Sequence, residues 1–317
     1  MYTLALERDF PSIRFGLRWF ANLGEQTQHN PVLLEEIPMK REEALKQTEQ
    51  GIDELIRALE QGKSETLVKY LEFLGKFHEY SFRNCLLIAM QRPDATHVAG
   101  FHRWKELGRF VKKGEKGIMI LAPIVRRRKA KEDATEVSCD EEETQAVCGF
   151  RAVHVFDVSQ SEGQELPEFN RIDGDPGAKL QRLVAVVAER GIELRYEASL
   201  GGADGLSQGG KITLRQGMSQ AEEFGVLAHE LAHELLHRTE RRKQTTRKVR
   251  ELEAEAVAFV VARAAGLDGI SRSADYIQLY SGDKELLIES LDHIQRVASS
   301  IIEELSCVAE VAEAAAA

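Results

Sequence analysis

Cysteine is scarce and poorly spaced for chemistry. The four in 317 residues, Cys85, Cys139, Cys148 and Cys307, form no CxxC pair. That spacing argues against a disulfide framework and against a cysteine-based zinc knuckle. Long apolar runs are missing too, since the longest candidate, residues 252–266, is broken by Glu253, Glu255 and Arg263. No stretch therefore approaches the roughly 18 to 20 apolar residues of a membrane span. The opening MYTLALERDF lacks the uninterrupted apolar core of a secretory peptide, because Glu7, Arg8 and Asp9 fall inside it. Together these absences predict a protein of the reducing cytoplasm with no membrane partner.

What is present is a globular composition, 43% hydrophobic and 30% charged, in a chain long enough for two domains. The formal net charge of -10 would by itself disfavour a nucleic-acid partner. Its distribution reverses that reading. Between Ser81 and Lys131 thirteen Lys or Arg face three acids, a local net charge of +10, so the rest of the chain carries -20.

Residues 1–38 show no sustained periodicity, and Met39 ahead of a clean helical pattern is compatible with translation starting there. Apolar spacing predicts helices over 40–60, 65–80 and 82–91, then strands over 116–125 and 149–158 separated by an acidic loop at 132–143. Residues 159–176, rich in Gly, Ser, Pro and acids, read as a linker. Beyond it the pattern predicts a helix at 178–189, a strand at 192–196, a Gly-studded turn region at 201–210 and a strand at 211–215. Ser219 then caps a helix running to 237, with Glu222 completing a capping box. Further helices are expected at 248–265, 273–280 and 284–305, with a fraying tail from 307 to 317. The expected organisation is an N-terminal extension (1–38), a first domain (39–160), a linker (161–176) and a second domain (177–306).

The second domain carries HELAH. His229 and His233 are four residues apart, so a helix projects both from one face and they can clasp one ion. Glu230 beside them is the general base that metal-assisted peptide hydrolysis needs. Chance alone places HExxH in roughly one such chain in forty. The flanking Val226, Leu227, Leu231, Ala232, Leu235 and Leu236 bury much of the helix, where imidazoles and a carboxylate are costly without a ligand. Zinc is the expected ion, with another divalent metal as the alternative. A metzincin third histidine would fall at Thr239 and its glycine at Leu236, which excludes that class. The third ligand is therefore sought in RELEAEAVAF, where Glu251 and Glu255 share a face and Glu253 points elsewhere. Glu251 is assigned as ligand and Glu255 as the outer acid holding a ligating His, with exchanged roles as the rival. His237 continues the i+4 series off the clasping face, and is read as an outer partner rather than a ligand. The strand Lys211–Arg215 is read as an edge that could pair with an extended peptide, or as an ordinary edge strand.

The runs HELAHELLH and ELEAEAVAF resemble the ImmA/IrrE-type branch of the zincin metallopeptidases. Residues 39–305 resemble antirestriction proteins of the ArdC type, which join a single-stranded-DNA-binding domain to such a peptidase domain. The N-terminal resemblance rests on SFRNCLLIAMQRPDATHVAGFHRWKELGRFVKKGEKGIMILAP, and the C-terminal one extends to SADYIQLYSGD. It implies an α+β chain: a mixed α/β single-stranded-DNA-binding domain followed by a zincin-like domain with an HExxH helix and a mainly helical C-terminal half.

Composition supports the DNA reading independently, because cationic side chains neutralise phosphates and exposed rings stack on unpaired bases. The expected contacts are Arg83, Asn84, Arg92, Phe101, Arg103, Trp104, Lys105, Arg109, Lys112, Lys113, Lys116, Arg126, Arg127 and Arg128. For Trp104 a core position is an equal alternative, and Asn84 and Arg83 are alternatively turn caps. A second basic cluster, from Arg238 to Arg250, either guides DNA toward the metal or is a solvated loop. The expected function is a zinc metallopeptidase acting on DNA-associated proteins. Its rivals are a non-proteolytic DNA-protection protein with a structural metal site, and a peptidase that clips a repressor without DNA.

Overall fold

The computed structural model describes residues 36–127, 145–164, 176–238, 240–267 and 283–306. The acidic loop, most of the linker, the helix expected at 273–280 and Arg128 lie outside these residues. The fold is mixed α+β. Contacts divide the chain into two units, one holding residues 90–164 and the stretch up to Glu49, the other holding Gln50–Ala89 and the residues from 165 onward. Residues 50–89, expected with the first domain, thus group with the C-terminal half.

In the first unit a three-stranded antiparallel sheet has the order β1 (Val98–Gly100), β4 (Gln145–Asp157), β3 (Ile118–Arg127). Its register pairs Ile118 with Val155, and shifts at a bulge between Ile124 and Val125. Gln91 pins the sheet by giving and receiving hydrogen bonds with the Met119 backbone, both at 2.9 Å. The short helix α4 (Phe101–Glu106) follows β1, and β2 (Arg109–Val111) pairs antiparallel with β5 (Ser161–Gly163). Residues 159–163, read as linker, are therefore structured. Asp157 causes this: its carboxylate accepts from the Thr96, His97 and Ser159 amides at 2.8, 3.1 and 2.9 Å, so the chain leaving β4 is held.

Helices α1 (Glu36–Glu60) and α3 (Phe82–Gln91) cross the division between units, and α2 (Ser64–Lys76) lies wholly in the second. The second unit continues with α5 (Pro176–Glu189), β6 (Glu193–Glu197), β7 (Gly205–Ser207), β8 (Lys211–Arg215), α6 (Gln220–Leu236), α7 (Glu240–Gln244), α8 (Arg247–Ala264) and α9 (Lys284–Ser306). Its sheet has the order β6-β8-β7, with β6 parallel and β7 antiparallel to β8. Lys211–Arg215 is thus the central strand, which corrects the expected edge. Its burial explains the position, since Ile212, Thr213 and Leu214 are all buried as in a strand flanked on both sides.

Among the described residues the edges are β6 and β7, the latter inside the segment read as turns. Gly209 and Gly210 both have positive φ, 71° and 92°, and Gln208 N–H donates to the Lys211 carbonyl at 2.9 Å. Such a two-residue turn matches the twist of the strands it joins. Helix α6 packs on α8, and Phe224, Leu227 and Leu231 on the first and Val257, Val260 and Val261 on the second are all buried. Both helices begin on side-chain caps: Ser219 with Glu222 in a reciprocal box, and Thr246 accepting from Val249 N–H at 3.2 Å.

Candidate metal centre

The capping box at Ser219 fixes where α6 starts, and hence which face presents His229 and His233. Their Nε2 atoms lie 3.1 Å apart. Glu251 on α8 places Oε2 at 3.7 Å from His229 Nε2 and 3.6 Å from His233 Nε2. Among the described residues these three form the group whose donor atoms fit around a single ion. The edges of a tetrahedron with bonds of about 2.0–2.1 Å to nitrogen and oxygen measure about 3.3 Å. The observed triangle of 3.1, 3.6 and 3.7 Å is close to one face of that figure. The donor set fits a divalent cation, and two imidazoles with one carboxylate suit zinc.

Glu255 stands one turn beyond Glu251, with Oε2 3.3 Å from His229 Nδ1 but off the line of a good hydrogen bond. Glu251 thus lies on the Nε2 side of the imidazole pair and Glu255 on the Nδ1 side of His229. His237, the C-cap of α6, turns its Nδ1 to His233 Nδ1 at 3.0 Å.

Two acids that the sequence reading passed over complete the site. Glu253, expected to point elsewhere, is 0% exposed and sits 2.9 Å from His237 Nε2. Arg241 clasps both of its oxygens through Nε and Nη2, and Ser290 accepts from the same guanidinium at 3.2 Å. Glu234 is equally buried and accepts from Ser207 Oγ at 2.6 Å, Gly209 N–H at 2.8 Å and Gly210 N–H at 2.6 Å. That carboxylate ties the β7–β8 turn to the metal-site helix. The approach is so close that a Cβ on Gly205 would come within 2.7 Å of Glu230 and Val226. The Gly-Gly pair was the signal for this hairpin. Nothing in the spacing of Glu234 announced its role.

Burial and neighbouring charges pull the groups of the cluster in opposite directions. Burial would lower the His229 pKa, yet the neighbouring carboxylates of Glu251 and Glu255, with Glu230 beside them, carry it up to about 9. Glu251 falls to about 2, chiefly through His229. Burial and the neighbouring His229 charge push His233 down to about 4, so its ring stays neutral, the form a metal requires. Burial pushes Glu230 up to about 7, with His229 and the Ser207 amide opposing. A carboxylate tuned near neutrality is what proton transfer at neutral pH needs.

The expected DNA contacts separate into exposed and buried sets. In the first unit Phe101 is 52% and Phe110 57% exposed, amid exposed Arg103, Lys105, Lys112, Lys113 and Lys116. Trp104 is 2% exposed and donates its indole N–H to the Phe156 carbonyl, so it is core and offers no stacking face. Asn84 is likewise buried, which corrects its assignment as a contact. Arg92 and Arg109 are engaged internally, with Ser159 at 3.0 Å and with Ser161 at 2.8 Å. Arg83 is exposed but belongs to the other unit. The side chains of Arg126 and Arg127 fall outside the described set.

Residues 45–156 match the family model of the N-terminal domain of anti-restriction factor ArdC. An uncharacterized protein of Bacillus anthracis, pXO2-81, is 25% identical over 307 aligned positions, covering 84% of this chain. The chain spans about half that protein's length, 52%. The metal-free crystal structure of the antirestriction protein ArdC from plasmid R388 gives a TM-score of 0.49 at 20% identity, covering 82% of this chain and 97% of that one. The Mn(II)-bound structure of the same protein gives 0.40 at 19% identity, covering 75% and 97%. Among the described residues no helix is long and apolar enough to cross a membrane.

Proposed function

We propose that this chain is a zinc-dependent peptidase of the zincin type, coupled to a module that binds single-stranded DNA and acting on DNA-associated proteins in an antirestriction role. The observation that carries the proposal is the triangle of His229, His233 and Glu251, with the buried, near-neutral Glu230 next in sequence to a ligand. When bound, a divalent cation supplies Lewis-acid chemistry, acidifying water and polarising a carbonyl. His229 and His233 would hold it through Nε2 and Glu251 through Oε2. Glu230 takes the proton of the attacking water and returns it to the departing amine. Glu255 orients His229. Strand β7, the sheet edge whose Gly205 touches Glu230, provides backbone groups on which an extended peptide can align beside the base.

The DNA module is supported by the exposed Phe101 and Phe110 within a lysine- and arginine-rich surface, and by the family match over residues 45–156. Tethering substrate-bearing DNA to the same chain raises the effective concentration of protein substrate, which offsets the need for a deep specificity pocket.

A second reading is favoured by the family match alone: a protein that protects entering DNA by coating it, with a metal that only braces the fold. Glu230→Gln separates the two. Proteolysis of a single-stranded-DNA-bound protein mixture by the variant should fall by about 10²- to 10⁴-fold, with metal content and DNA affinity kept. Unchanged proteolysis removes the assigned base. Unchanged protection of incoming DNA by the variant, with no cleavage by either protein, establishes the coating role.

A further inference from the structure

Behind His233 a chain of buried polar groups runs away from the site. It passes from His233 Nδ1 to His237 Nδ1 at 3.0 Å, and from His237 Nε2 to Glu253 Oε2 at 2.9 Å. It ends on Arg241, whose Nε donates to the same oxygen at 3.2 Å and whose Nη2 donates to Oε1. His237 and Glu253 are 2% and 0% exposed, and Arg241 is nearly as buried. Charges so deep are expensive unless each is answered, and here each is.

For neutral imidazoles, donor and acceptor bookkeeping assigns the protons along the chain. A carboxylate forked by a guanidinium accepts only, so His237 must donate through Nε2. A neutral imidazole that donates at one nitrogen accepts at the other, so His237 Nδ1 is an acceptor. His233 must therefore carry its hydrogen on Nδ1. Its Nε2 is left with a free lone pair directed at His229 Nε2 and Glu251 Oε2.

We propose that His237, Glu253 and Arg241 form a positioning relay that locks His233 in the Nδ1–H tautomer and so presents Nε2 as a ready-made ligand. The proposal rests on the metal-centre reading above and adds to it three side chains that touch no ion. They belong to three successive helices: His237 caps the C-terminus of α6, Arg241 lies on α7 and Glu253 on α8. The relay thereby makes ligand geometry depend on how α6 and α8 are joined. Arg241 also sits 3.0 Å from Glu289, and Ser290 is beside it, so α9 buttresses the outer end.

The decisive variants are His237→Phe, which keeps an aromatic ring and deletes the relay, and His237→Gln. The glutamine amide accepts through its oxygen and donates through its nitrogen, the same order as a neutral imidazole. Zinc affinity measured by chelator competition should fall about 10- to 100-fold in His237→Phe, the usual effect of losing an outer partner, and should recover in His237→Gln. In the metal-free parent, long-range ¹H–¹⁵N spectra of His233 should show the Nδ1–H tautomer. An Nε2–H pattern at His233, or zinc affinity equal to the parent in folded His237→Phe, overturns the relay. The spectra decide the question even if His237→Phe fails to fold. Absence of zinc binding by the parent would count against the metal centre itself, whereas the tautomer bears on the relay alone.

Discussion

The α6–α8 interface and the surface spanning residues 101–116 both concentrate charge, and they manage it in opposite ways. There Glu253, His237 and Arg241 are buried, and each has a partner at hydrogen-bond distance. On the basic surface Arg103, Lys105, Lys112, Lys113 and Lys116 stand in solvent around two exposed rings. Buried charge acts through exact neighbours, so losing one group leaves another unsatisfied. Exposed charge acts through its summed field, which salt screens and which single substitutions only dent. One region behaves as a device and the other as a surface.

Three perturbations test that contrast, beginning with the largest. Trp104 sits in the basic segment but belongs to the buried class, so Trp104→Ala should lower stability by about 3–5 kcal/mol in chemical denaturation. Phe110→Ala, six residues on, should leave stability within about 0.5 kcal/mol and instead weaken binding of a single-stranded oligonucleotide by about 1–3 kcal/mol. Equal stability losses for both would dissolve the distinction.

Next come the two carboxylates on α8. Glu251→Ala removes a proposed ligand and should lower zinc affinity by more than about 100-fold, while Glu255→Ala, acting through His229, should cost about 10- to 100-fold. Chelator competition gives both numbers. The reverse order would exchange the two roles.

The smallest effect concerns Asp157, a carboxylate in the basic unit that is wired like a buried one. Burial raises its pKa, but bonds from Ser159, Thr96 and His97 outweigh this and hold it below the ordinary 3.8. A depressed carboxylate stabilises the fold above its unfolded pKa, and that contribution is lost as pH falls through the folded value. Thermal midpoints should therefore drop below about pH 4 in the parent, and drop less steeply in Asp157→Asn. Parallel pH profiles for the two proteins would remove Asp157 from the account.

The same contrast explains what the sequence disclosed. Helical periodicity, the Ser219-Glu222 box and the i, i+4 histidines are local patterns, and the structure places helices, cap and imidazole pair accordingly. Glu251 and Glu255 are legible because they repeat the i, i+4 spacing of His229 and His233. Glu253 was not, because a helical wheel gives its angle but not that His237 and Arg241 wait there. Glu234 and β7 escaped for a related reason: a carboxylate receiving two glycine amides is a feature of a folded turn. Trp104 and Phe110 look alike in a basic stretch. Only the carbonyl of Phe156, far along the chain, distinguishes them.

The central claim is that two imidazoles and one carboxylate hold a cation, and X-ray absorption at the zinc edge tests it most directly. The zinc-loaded protein should hold about one ion per chain, with imidazole nitrogens and oxygens at about 2.0–2.1 Å, two of the shell being histidine. In His233→Ala one histidine should disappear from that shell. A protein that takes up no stoichiometric zinc, or a shell without imidazole scattering, would contradict the account.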